Sequence, residues 1–335
     1  MVDKNADRVT ITDVTLREFG QNVPAAHMHI FTPEIRAKIA SELVDLGFRS
    51  LEVLSCIHPK VAPAMNEDAL RKISRDLGRV DGVNIITLVP NLAGYKTFRS
   101  LDLGPDGYNH TMGIFFSAVE AHNLANLGRP LKETVEEYKT IIRDATSRRI
   151  NVVAYVSAAF GYMDPKTGVI VEADPDEINR NMDLFFDLGA RTMTLSDLQG
   201  VADEGKTAEI LETILELRKG RDGDRIGYHP HHISGDQALA NSKVALDLGI
   251  RRFDASLGGT GGCITGAPGN QPTEKLVRFF GKSGVKTGLD EHGVFALAEK
   301  VQSELYSMIP LSRALPPEKG GEGSEERFVE RGENL

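Results

Sequence analysis

The feature that most constrains the fold is an alternation: a short β-branched run followed by an amphipathic helix, eight times over roughly 250 residues. Residues 9–12 form the first such run and end in Asp13. Thr32 then caps a helix with Pro33 in its first turn, Ile35, Ile39, Leu43 and Leu46 on one face, and Gly47 closing it. Further strands are expected over 50–54, 84–89, 111–116, 152–156, 192–195, 225–228 and 252–255. Helices are expected between them: one capped by Asn66, one around 95–103, one over 130–149, one opened by Asp174-Pro175, and others over 206–218, 237–248 and 273–280. This count and size predict an α/β fold, a (β/α)8 TIM barrel. A doubly wound open sheet uses fewer strands and usually a Gly-rich first turn, where this chain has Thr15-Leu16-Arg17.

Beyond the barrel, residues 290–308 predict one more helix, with Val294, Leu297, Val301 and Leu305 on one face, suited to cover a barrel end or a partner subunit. From Pro316 onward apolar residues are too few to offset the entropy of ordering, so a disordered tail is expected. The expected plan is a catalytic barrel over 1–285, a helical extension over 286–315 and a flexible tail over 316–335.

Composition removes several classes. A formal net charge of -9 argues against nucleic-acid binding, which rests on clustered Lys and Arg. No apolar run approaches the ~18 residues of a membrane span, and the opening residues lack the layout of a signal peptide, so a cytoplasmic enzyme is expected. The two cysteines are too few for a disulfide framework.

In a barrel of this kind the working residues sit where strands end and loops begin. The polar residues there are Asp13, Arg17, Glu18, Glu52, Asp197, His229, His231, Cys263 and Asn270. His229 and His231 are one residue apart on an extended segment and point the same way, which suits either a metal chelate or an ordinary hydrogen-bonded pair. A carboxylate, two imidazoles and an amide oxygen make a reasonable shell for Mg²⁺, Mn²⁺ or Zn²⁺. Blander roles stand beside these: Asp13 bracing the first loop, Glu52 pairing with a nearby cation, Cys263 filling space. The glycines over 258–262 match neither the dinucleotide nor the Walker spacing and read as a tight turn at the barrel mouth.

The segments TLRE at 15–18, EVLSCIHPKVAPAM, LVPNLAGY, AYVSAAFG, Asp197, H-x-H at 229–231, HHISGDQALAN, and GGTGGC followed by Gly269-Asn270 resemble, in order and spacing, the DRE-TIM metallolyase superfamily, and within it the 3-hydroxy-3-methylglutaryl-CoA lyases. The resemblance covers nearly the whole barrel. It implies a divalent metal held by Glu18, His229, His231 and Asn270, and a catalytic set of Arg17, Glu52, Asp197, His229 and Cys263. The sequence departs from the pattern with Phe19 in place of glycine, Pro24 in place of a basic residue and His232 in place of aspartate. The segment between His231 and Gln237 is one residue longer than in the lyases, and that between Cys263 and Asn270 is shorter. Glutamate at position 18, where the lyases carry aspartate, resembles homocitrate synthase.

The implied reaction is metal-dependent retro-Claisen or aldol cleavage of an acyl-CoA to acetyl-CoA and a keto acid. In it, His229 or Asp197 accepts the hydroxyl proton, Arg17 stabilises the enolate oxygen and Cys263 protonates the enolate carbon. The alternatives are a condensing synthase joining acetyl-CoA to a 2-oxo acid, and a non-catalytic metal-binding barrel. The expected partners are a small acyl-CoA or hydroxy or keto acid and a second copy of the chain in a homodimer, with neither nucleic acid nor membrane.

Overall fold

The computed structural model describes residues 8–232, 236–261 and 269–309. Its strands are β1 (Thr10–Asp13), β2 (Ser50–Ser55), β3 (Asn84–Leu88), β4 (Thr111–Ser117), β5 (Val152–Ser157), β6 (Tyr162–Met163), β7 (Ile170–Val171), β8 (Ala190–Asp197), β9 (Ile226–Pro230) and β10 (Arg252–Ala255). All but β6 and β7 close into one barrel in the order β1-β10-β9-β8-β5-β4-β3-β2, every neighbouring pair parallel. Closure is made by β1, which pairs Thr10 with Arg252 on one side and Asp13 with Leu51 on the other. The expected TIM barrel is the observed fold.

The helices are α1 (Thr15–Asn22), α2 (Pro33–Asp45), α3 (Glu67–Leu77), α4 (Leu92–Ser100), α5 (Glu120–Leu127), α6 (Leu131–Ser147), α7 (Pro175–Asp187), α8 (Glu204–Leu217), α9 (Gln237–Asp247), α10 (Thr273–Lys282) and α11 (Glu291–Val301). Side-chain caps start them where the sequence suggests: Thr32 accepts from the Ile35 amide, Asn66 from Ala69 and Asp174 from Asp176. Two helices were not expected. Helix α1 fills the stretch after Asp13, and α5 precedes the long helix that the sequence places at 130–149. Both are eight residues long and lack a capping side chain, so neither carries a local start signal. The β6-β7 hairpin was also not expected. Its pairs are Tyr162 with Val171 and Met163 with Ile170.

The main core lies between the barrel wall and the helices. A smaller cluster of Ile86, Leu88, Val153 and Tyr155, with Phe115 against it, belongs to β3, β4 and β5. The expected last helix runs as α11 and then a π-helical turn, Gln302–Tyr306. Val294, Leu297, Val301 and Leu305 are all buried in the main core. A Lys300–Glu42 ion pair of 3.0 Å ties α11 to α2. The expected tail lies outside the described residues, and no described helix is long and apolar enough to cross a membrane.

Candidate active site

A pocket is lined by Arg17, Glu18, Tyr155 and His229, together with hydroxyls from Ser55, Ser157 and Ser196 and apolar surface from Ile57, Leu88, Phe115 and Leu198. Its lining comes from α1, from the ends of barrel strands and from the loops that follow them, the end of the barrel expected to work.

Helix α1 delivers Arg17 and Glu18 side by side, with six consecutive residues from Thr15 to Gly20 buried. Arg17 lies between two carboxylates. Its Nε donates to Glu52 Oε2 at 2.7 Å, its Nη2 lies 2.6 Å from the same oxygen, and its Nη1 contacts Glu18 Oε1. Burial alone would weaken the guanidinium's hold on its proton, but Glu18 and Glu52 outweigh it and raise the pKa further. Burial also opposes ionisation of Glu18, yet Arg17, His231 and His229 hold its pKa below the usual range. Glu52 goes the other way: burial raises it, with Glu18 and Asp254 adding to the effect against the pull of Arg17. One cation therefore serves two acids whose pKa values are pushed in opposite directions, Glu18 down and Glu52 up.

The imidazoles sit at the end of β9. His229 Nδ1 lies 3.1 Å from Asp254 Oδ2, and its Nε2 faces His231 Nε2 at 2.9 Å. With Nδ1–H given to the carboxylate, His229 Nε2 presents a bare lone pair, and the proton between the rings is carried by His231. His231 is also bridged to Asn270 through the backbone. Asn270 donates its amide nitrogen to the Thr260 carbonyl at 2.9 Å, while its buried Oδ1 has no hydrogen-bond partner. Gly261, at φ +87°, lies against Glu18 and Asn270, and a Cβ there would come within 2.5 Å of Glu18 Cβ.

Among the described residues, no three His, Cys, Asp or Glu side chains form a cluster that could hold a metal as they stand. Glu18 is engaged with Arg17. The donor types nevertheless suit a divalent cation: two opposed imidazole nitrogens, an orphaned amide oxygen and an ionised carboxylate on which both imidazoles act.

The other expected residues take varied places. Asp197 is fully buried, and its two oxygens accept from the Val201 and Ala202 amides at 3.0 Å each, holding the loop after β8. Burial pushes its carboxyl up to about 6 against the pull of those amides. Asp13 accepts from the Thr15 amide and the Thr273 hydroxyl, which is a brace for the first loop. Cys263 lies outside the described residues, and Cys56, at the end of the β2 wall, is buried. Sequence reasoning missed Asp254 and Tyr155. Each is a polar residue on a strand that reads as apolar, and only the pairing of β10 with β9 brings Asp254 to His229, while the folded barrel sets Tyr155 with Arg17 in the pocket lining.

The HMGL-like family model matches residues 8–301. Hydroxymethylglutaryl-CoA lyase YngG of Bacillus subtilis is 29% identical over 305 residues, spanning 90% of this chain and 95% of that protein. The mitochondrial hydroxymethylglutaryl-CoA lyase of Homo sapiens is 29% identical over 285 residues, spanning 84% of this chain and 81% of that protein. A crystal structure of the Bacillus subtilis HMG-CoA lyase superposes with a TM-score of 0.77 at 27% identity, covering 91% of this chain and 96% of that one. These relatives are carbon-carbon lyases, and with the family match running through the whole barrel and α11, the chain belongs to the HMGL-like family.

Proposed function

We propose that the protein is a divalent-metal-dependent carbon-carbon lyase that cleaves a 3-hydroxy-3-methylglutaryl-CoA-like thioester to acetyl-CoA and a keto acid. The observation that carries this reading is the pair of imidazole Nε2 atoms 2.9 Å apart beside the orphaned Asn270 oxygen, next to a pocket wall that holds Arg17. Glu18, His229, His231 and Asn270 would hold the cation, with Mg²⁺ or Mn²⁺ favoured by the two oxygen donors and Zn²⁺ by the imidazoles. Bound there, it would chelate the substrate hydroxyl and a neighbouring carbonyl oxygen and acidify that hydroxyl.

The residues of the chain then divide the work. His229 cannot serve as a base through Nε2 while that atom is a ligand, and its Nδ1 faces Asp254. Asp197, the other base candidate, is fully buried, does not line the pocket and has both oxygens held by the Val201 and Ala202 amides, so it suits a brace for the loop after β8 better than a base that meets the substrate hydroxyl. As the hydroxyl proton leaves, the carbon-carbon electron pair passes into the thioester and forms an enolate. Turning Glu18 away from Arg17 frees Nη1 to face the enolate oxygen, while Glu52 keeps hold of Nε and Nη2. Cys263 delivers a proton to the enolate carbon and completes acetyl-CoA.

The test uses protein stripped with a chelator and reloaded with Mn²⁺. One sample receives 3-hydroxy-3-methylglutaryl-CoA and another receives acetyl-CoA with a 2-oxo acid. Metal-dependent release of acetyl-CoA in the first supports the lyase. Release of free CoA confined to the second identifies a condensing synthase, the direction to which glutamate at position 18 is similar. Silence in both, with metal bound, points to a non-catalytic barrel.

A further inference from the structure

Phe19 follows Glu18 directly and is fully buried in a position where the resemblance expects glycine. Its ring packs edge-on to Phe31 at 4.8 Å and against Tyr306 at 4.5 Å. Tyr306 ends the π-helical turn that follows α11, so a residue from the far end of the described chain lies under the helix that carries Arg17 and Glu18. π-Helical turns of this kind occur frequently at functional sites.

The other end of Tyr306 reaches the turn after β10. Its hydroxyl donates to the Leu257 carbonyl at 3.1 Å, and the Leu257 amide donates to Thr15 Oγ1, the first residue of α1, at 2.8 Å. Three residues on, the Thr260 carbonyl takes the Asn270 amide and fixes its side chain. Gly258, at φ +65°, lies so close to Gln302 that a Cβ would come within 2.6 Å of its amide nitrogen. Burial, with Asp13 adding to it, keeps the Tyr306 phenol protonated and able to donate.

We propose that Tyr306 is a positioning residue that sets the spacing between α1 and the 257–261 turn, and through them between Glu18 and Asn270. The ring acts on α1 through Phe19, and the hydroxyl acts on the turn through Leu257. Phe19 is then the natural counterpart of the aromatic C-terminal segment, filling space that a glycine would leave empty between Phe31 and Tyr306. The role rests on the lyase reading only for its catalytic consequence.

Two variants separate the ring from the hydroxyl. Tyr306→Phe keeps the stacking, so amide exchange should quicken about fivefold at residues 257–261 and little within α1, with the melting temperature nearly unchanged. In this variant kcat for the thioester should fall by about the same factor while KM holds, because the Asn270 side chain held by the Thr260 carbonyl is displaced more than the binding surface. Tyr306→Leu should quicken exchange in both segments together. Exchange unchanged in Tyr306→Phe, or quickened evenly over the whole barrel in Tyr306→Leu, overturns the proposal and leaves Tyr306 as packing. Mn²⁺ titration of the unaltered protein tests the reading beneath it: no binding and no turnover sink the lyase, while the exchange pattern still decides the role of Tyr306.

Discussion

Asp254 and His229, on adjacent barrel strands, meet Oδ2 to Nδ1 at 3.1 Å, and this contact leaves Nε2 as the ring nitrogen turned toward His231. A carboxylate behind a ligating histidine fixes its tautomer and raises its basicity. Asp254→Asn should therefore weaken Mn²⁺ binding about 10- to 100-fold in calorimetric titration while leaving the fold intact. Affinity equal to that of the unaltered protein would show that the imidazole keeps its tautomer without help.

Arg17 is held by a fork of nitrogens that a lysine cannot reproduce. Arg17→Lys keeps a positive charge between Glu18 and Glu52 yet loses the planar, multidentate grip. Turnover should fall by about a hundredfold or more, with substrate binding less affected. Steady-state kinetics with the thioester checks this, and a KM-only effect would assign Arg17 to binding rather than to charge development.

His110 lies just before β4 and its Nδ1 is 2.9 Å from the Thr87 hydroxyl. Burial pulls its pKa down to about 4. Between that value and the usual ~6.5 the unfolded chain binds more protons than the native one, so stability rises with pH through this window and is lost on acidification. The contribution is roughly 3 kcal/mol once pH falls below about 4. Asp13 acts in the opposite sense: burial raises it to about 7, so from 3.8 to 7 the native state holds the extra proton and stability declines as pH rises. The two windows overlap and oppose each other between about 4 and 6.5. In urea midpoints from pH 4 to 8 the His110 rise is therefore largely masked and an upper limb of decline remains near 7; Asp13→Asn should flatten that limb and uncover the rise. An upper limb unchanged by that substitution would place its origin in another group.

Arg218 is fully buried and is gripped by Asp222 through two hydrogen bonds of 2.6 and 2.7 Å, with Asn179 on its third nitrogen at 2.7 Å. Removing one member of such a pair strands the other. Arg218→Ala should cost about 3 to 5 kcal/mol, read as a lower urea midpoint, whereas the double change with Asp222→Ala should cost less than the two single changes added. Strict additivity would mean that the two groups act independently.

Much of the frame was legible because its signals are local. Thr32, Asn66 and Asp174 cap helices by bonding amides two or three residues ahead, so the start of α2, α3 and α7 is written within a single turn. Helix α1 was not legible, because it lacks such a cap and its six buried residues include an arginine and a glutamate. Those charges are buried only because Glu52 and the imidazoles meet them after the barrel closes. For the same reason Arg17, Glu18 and His229 could be singled out as chemistry-bearing residues while Asp254 could not. A lone aspartate on a strand has no periodicity to mark it, and its partner stands 25 residues away in the chain.

The way the barrel closes also bears on its synthesis. Because β1 registers Thr10 against Arg252 over four residue pairs but meets β2 at only one, its main partner is translated roughly 240 residues later. At ribosomal rates of about 5 to 20 residues per second, the first strand waits roughly 10 to 50 seconds for that partner. For that interval the nascent chain carries a first strand whose backbone amides and carbonyls are unpaired on its β10 side, the kind of open edge that can pair with another chain.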